Sequence, residues 1–123
     1  MFALTLVFIC ILTGSIGQIC FKTGMNRVTE QSSGAESISS PGSLIHIITS
    51  KYIIIGTILY AFALVLWLIA MSSLDVSFMY PLLSLGYVLT AILALLFLNE
   101  DVSLIRWIGI ITIIAGCFLV LRT

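Results

Sequence analysis

A chain of 123 residues with 61 % apolar and only 8 % charged side chains falls well short of the ~25 % charged residues of an ordinary soluble domain. It cannot cover a water-facing surface, so the bilayer is its solvent. Five Lys and Arg balance five Asp and Glu, which gives no basic excess for nucleic acid, and the length allows one domain. Cys10, Cys20 and Cys117 all lie in apolar runs and read as buried filler, not as a disulfide framework.

A membrane-crossing helix needs ~20 mostly apolar residues. The first window that qualifies runs from Phe2 to about Phe21. It lacks a basic start, and its apolar run exceeds the roughly 7–15 residues of a signal-peptide core, so it reads as a retained helix. At 3.6 residues per turn Gly14, Gly17, Gln18, Phe21 and Lys22 fall on one side. The glycines permit close backbone approach. Gln18 is either a plain interhelical hydrogen-bonding group or a ligand contact. Lys22, near the helix end, either anchors at the headgroups or meets an anion.

Residues of about 25–42 include EQSSGAESISSPGS, which is rich in Ser and Gly and predicts a flexible cytoplasmic loop. The following SLIHIITS (43–50) is apolar but too short to span, and predicts a short helix in the membrane interface. Its lone His46 is a weak signal for a metal.

The second span, Tyr52 to Met71, presents Tyr60 and Trp67 seven residues apart on one face. They serve helix packing, an interfacial aromatic belt or ligand contact. SSLDV then makes a tight hairpin to the third span, Ser77 to Leu98. There Ser77, Tyr80, Ser84, Tyr87 and Ala91 share a narrow face, which predicts a polar cleft unless the hydroxyls bond back to their own backbone. Pro81 frees a carbonyl beside them. After NEDVS, where Asp101 or Ser103 can cap the next helix, the fourth span covers Leu104 to Leu121. Gly109, Thr112 and Gly116 on one side of it suggest an oligomer seam, with packing inside the monomer as the alternative. Glu100 and Asp101 beside Arg106 read either as a surface ion pair or as a substrate-facing carboxylate.

Basic residues set the topology. Lys22, Arg27, Lys51 and Arg106 lie on one side and Arg122 on the other, which predicts cytoplasmic loops and both termini outside. No nucleophile–base pair, metal-ligand spacing or phosphate loop is recognisable, so neither an enzyme nor a cofactor is expected. Four helices enclose little space, and a transport path is expected between two subunits.

The four-helix layout resembles the small multidrug resistance fold of the drug/metabolite transporter superfamily. WIGIITIIAG (107–116) looks like that family's dimerisation helix, and Tyr60 and Tyr80 fall where its drug exporters carry tyrosines. Gly14 stands where those exporters need a membrane-embedded glutamate, and Leu83 where they have a tryptophan. A closer resemblance is to the small subunits of the aminoarabinose-phosphoundecaprenol flippase and related EamA-type proteins, through LTLVF, GQICFK, LVLWL, YPLLSL and NEDVSLIRWIGI. The resemblance implies an all-α inner-membrane protein working as a homodimer, or as a heterodimer with a related four-helix subunit. It also implies movement of a polyprenyl-phosphate-linked sugar among membrane lipids. The residue chemistry suits that substrate. Lys22 and Arg106 match a phosphate. Gln18, Tyr80, Ser84 and Tyr87 match sugar hydroxyls, with Tyr60, Trp67 and Glu100 as further candidates for contact. Two alternatives stay open: a proton-coupled exporter of small solutes or cationic drugs, and a non-transporting accessory subunit.

Overall fold

The computed structural model describes residues 1–32 and 41–123. Five helices make up the described fold: α1 (Phe2–Ser32), α2 (Pro41–Thr49), α3 (Lys51–Met71), α4 (Val76–Phe97) and α5 (Leu104–Arg122). All but α2 are long and apolar enough to cross a bilayer, which makes the chain an all-α multi-pass membrane protein.

α1 continues past Phe21 to Ser32, although the hydropathy of the sequence falls at Lys22. Hydropathy marks where the bilayer ends, not where the helix ends. Met25–Gln31 contains neither Gly nor Pro, so nothing stops hydrogen bonding along the axis. Of the loop expected at about 25–42, residues up to 32 are therefore helical, Pro41 opens α2, and 33–40 lie outside the described residues. A short helix stands where SLIHIITS predicts one.

α1 is the centre of the packing, with α3 on one flank and α4 on the other. α5 packs on α4, and α2 bridges α1 and α3. The α1–α3 crossing is built on glycine. A Cβ on Gly56 would lie 3.0 Å from the Gly17 carbonyl oxygen, and one on Gly17 would lie 3.3 Å from that of Gly56. In lipid, helix association rests on such close packing, because the tails are as apolar as the side chains.

The buried core comprises Val7, Cys10, Ile11, Ala63, Trp67, Ala70, Met79, Leu82 and Cys117. Every member lies in the half of its helix nearest the hairpin 72–75 and the chain termini. The clefts of the bundle begin at the edge of this core, beside Cys10, Ala63 and Trp67, and run toward the connection at 98–103.

The α4–α5 connection is sharply defined. Asn99 sits at φ 50°, the left-handed region that asparagine tolerates better than most residues. It lets the Glu100 N–H reach back to the Ala94 carbonyl at 3.3 Å. Ser103 then caps α5, its hydroxyl accepting from the Arg106 N–H at 3.4 Å.

Candidate functional site

Two clefts of ≈ 270 Å³ each meet within the bundle. The inner one lies between α1, α3 and α4. Cys10, Gly14 and Gln18 line it from α1, Tyr60 and Trp67 from α3, and Gly86, Tyr87 and Thr90 from α4. The outer one is lined by Ala91, Ala94, Glu100, Val102, Arg106 and Ile110. Gln18, Tyr87 and Thr90 belong to both, so the two are one passage with a polar waist.

The waist is held by hydrogen bonds between helices. The Thr90 hydroxyl donates to Gln18 Oε1 at 3.4 Å, a long bond that yields easily. One turn deeper, the Ser15 hydroxyl donates to the Gly86 carbonyl at 3.3 Å, and Cys10 Sγ donates to the Ala63 carbonyl at 3.1 Å. Gly14 has nothing within 4 Å of a Cβ position, so it opens room where a side chain would fill the cleft.

Deeper still the wall is aromatic. Trp67 is buried, and Tyr80 meets it edge-to-face with ring centroids 5.8 Å apart. Tyr60 packs against Phe21 at 5.9 Å, which ties it to the glycine crossing. At the mouth Lys22 Nζ stands 4.0 Å from Glu100 Oε1, with the two side chains 53 % and 42 % exposed. A pair so exposed contributes only ~0–1 kcal/mol and opens readily.

The expected site residues divide accordingly. Gln18, Tyr60, Trp67, Tyr87, Glu100 and Arg106 line the passage. Lys22 reaches its mouth through Glu100, and Tyr80 stands behind Trp67. Ser84 does not line it: its hydroxyl donates to its own Pro81 carbonyl. On α5 the Thr112 hydroxyl is likewise spent on Ile108, at 2.9 Å. Gly109 and Gly116 have open space where a Cβ would stand, so their face is uncovered in the single chain.

Ser15, Gly86 and Thr90 escaped the sequence reading. On α4 the lining set is Leu83, Gly86, Tyr87 and Thr90, spaced i, i+3, i+4, i+7 as one helix face must be. The hydroxyl stripe Ser77–Tyr80–Ser84–Tyr87–Ala91 is rotated from it by a little under one residue. The i+7 spacing of Leu83 and Thr90 was the available signal, but an aliphatic and a glycine in the set masked it.

Residues 33–122 match the EamA-like transporter family. The chain belongs to that family. Relatives agree over nearly the whole length. The probable 4-amino-4-deoxy-L-arabinose-phosphoundecaprenol flippase subunit ArnE of Yersinia pseudotuberculosis serotype O:1b is 30 % identical over 116 residues, 94 % of this chain and 92 % of its own. The protein of the same name from Pectobacterium atrosepticum is 31 % identical over 117 residues, covering 94 % of each chain. That from Yersinia pestis strain Pestoides F is 29 % identical over 116 residues, 94 % of this chain and 92 % of its own. No solved structure matches. As an EamA-like chain similar to these proteins, it is a membrane transporter or flippase subunit.

Proposed function

We propose that the chain is one subunit of a flippase for a polyprenyl-phosphate-linked sugar, with the head group held in the passage and the prenyl tail left in lipid. The observation that carries the reading is the passage itself together with the two cations at its mouth. It starts beside the buried core at Cys10 and Trp67 and reaches Glu100 and Arg106, with Lys22 next to them, at its other end. Lys22 and Arg106 offer cationic partners to a phosphodiester, while Glu100 and the adjoining Asp101 balance them within the chain. Gln18, Thr90 and Tyr87 at the waist offer amide and hydroxyl partners to a sugar, and Trp67 and Tyr60 offer aromatic faces. The names of the Yersinia and Pectobacterium relatives support the same substrate class.

In this reading the chain lies in the inner membrane, with the mouth and the basic ends at the cytoplasm and both termini outside. The uncovered α5 face with Gly109, Thr112 and Gly116 meets a second four-helix subunit, either another copy or a related chain. Each subunit then contributes an open cleft to a larger enclosure. A proton-coupled exporter would need an acid within the helices. Gly14 supplies none, and Glu100 is engaged by Lys22 at the surface.

The test is binding to the purified protein. A polyprenyl-phosphate sugar should bind, and Lys22→Ala or Arg106→Ala should each weaken it about tenfold, since a charge-assisted bond is worth ~1.5–3 kcal/mol before solvent screening at this exposed mouth. Tight, pH-dependent binding of a lipophilic cation, with no lipid binding and no effect of either substitution, would restore the exporter.

A further inference from the structure

A second cluster of charge stands apart from the passage, where α1, α2 and α3 meet. Arg27 of α1 and Lys51 of α3 both bear on one ring, that of Tyr52. The Arg27 guanidinium carbon is 4.7 Å from the ring centroid and the Lys51 Nζ 5.4 Å. The two cations are thus no further apart than those distances laid end to end. Among the described residues the ion pair shown is Lys22 with Glu100, and against Glu30 of α1, Arg27 and Lys51 leave a positive excess. Glu30, which lines the recess beside Arg27, has a contact of its own. Two like charges converging at the edge of a low-dielectric medium repel, and a bound anion relieves that repulsion.

The neighbouring helix says what kind of anion. α2 has nine residues, ~13 Å of helix, too short to cross a bilayer. It buries Ser43 and exposes Leu44, Ile45 and Ile48 at 51, 62 and 70 %, three residues that share one face. A short helix with an apolar face lies in the headgroup boundary, the depth that also suits the ring and hydroxyl of Tyr52. Cations, phenol and apolar face therefore meet at one level, as the phosphate and upper acyl chain of a lipid require.

We propose that Arg27, Tyr52 and Lys51, with the apolar face of α2, bind an anionic phospholipid of the leaflet at this end. A second copy of the chain is the poorer occupant, because a symmetric contact would bring the same positive excess face to face. The site stands independently of the flippase reading, since none of these residues lines the passage.

The experiment is native mass spectrometry of the purified full chain with phosphatidylglycerol or phosphatidylcholine of identical acyl chains. The unmodified protein should retain phosphatidylglycerol preferentially. Arg27→Ala and Lys51→Ala should each lower that preference about fivefold, the increment expected of one cation at an anionic surface, and the double variant should abolish it. Arg27→Lys and Arg122→Ala should keep it. Should the double variant fail to fold, the unmodified chain still decides, since its preference must fall as salt rises from about 0.05 M to 0.5 M. Equal retention of both lipids overturns the proposal. So does a preference that survives high salt or the double variant, one removed by Lys22→Ala instead, or retention of a second protein copy in place of lipid.

Discussion

Alanine substitution at four glycines separates the packing inside this chain from the packing it leaves open. At Gly56 the new methyl would stand 3.0 Å from the Gly17 carbonyl oxygen and 3.0 Å from Phe21 Cδ1. The oxygen is backbone and cannot rotate away, and the Phe21 ring is held by Tyr60. Overpacking of this kind costs ~1–3 kcal/mol. At Gly109 and Gly116 the methyl meets nothing. All three positions lie inside helices, where alanine gains ~1 kcal/mol over glycine. That gain cancels when the variants are subtracted from one another, so Gly56→Ala should be less stable than Gly109→Ala by the overpacking cost alone, about 1–3 kcal/mol. Gly24→Ala should fall between them, because turning the Ile53 side chain can relieve the 2.8 Å contacts to its Cδ1 and Cγ1, while the Ile53 backbone nitrogen at 3.2 Å stays in place. The assay is reversible unfolding of dilute, monomeric protein in detergent mixtures, followed by circular dichroism. Equal stabilities for Gly56→Ala and Gly109→Ala would refute the reasoning, because the α1–α3 crossing would then have slack that these contacts deny.

Three further outcomes follow from the geometry. Asn99→Gly should hold or slightly raise stability while Asn99→Val lowers it by about 1 kcal/mol or more, because the left-handed conformation at φ 50° excludes a β-branched residue; thermal unfolding of the pair checks this. Gly109→Leu or Gly116→Leu should reduce dimer crosslinking in membranes while leaving the monomer inserted, and unchanged yields for both would remove α5 as the seam. Single cysteines at Thr29 and Ser73, in a chain without its own cysteines, should react with impermeant reagents from opposite sides, Thr29 from the cytoplasm; labelling of Thr29 from both sides would mean dual insertion.

The four spanning helices were legible because lipid imposes one rule on all of them, and length with apolarity is enough to state it. The Ser103 cap was legible for the same kind of local reason. The site was legible in part. Tyr87 and Gln18 stood out as polar groups in apolar helices, and they do face the passage. Ser84 stood out equally but bonds to the Pro81 carbonyl, a choice that depends on whether a neighbouring helix offers something better. Thr90 and Ser15 find partners across helices, and no single-helix pattern contains that information. The overhang of α1 was missed because polarity was read as loop, whereas polarity beyond the bilayer is no obstacle to a helix.

That overhang has a mechanical meaning. At 31 residues α1 is ~46 Å long, against ~28 Å for the 19 residues of α5, while the hydrocarbon layer is ~30 Å thick. A helix that only just matches its bilayer can bob and tilt as the thickness changes. One that ends in Arg27, Glu30 and Gln31 cannot sink, because those groups would have to leave water. α1 thus works as a depth gauge. Lys22 shares its rod, so the height of the passage mouth above the acyl chains is set by the protein and not by the thickness of the membrane around it.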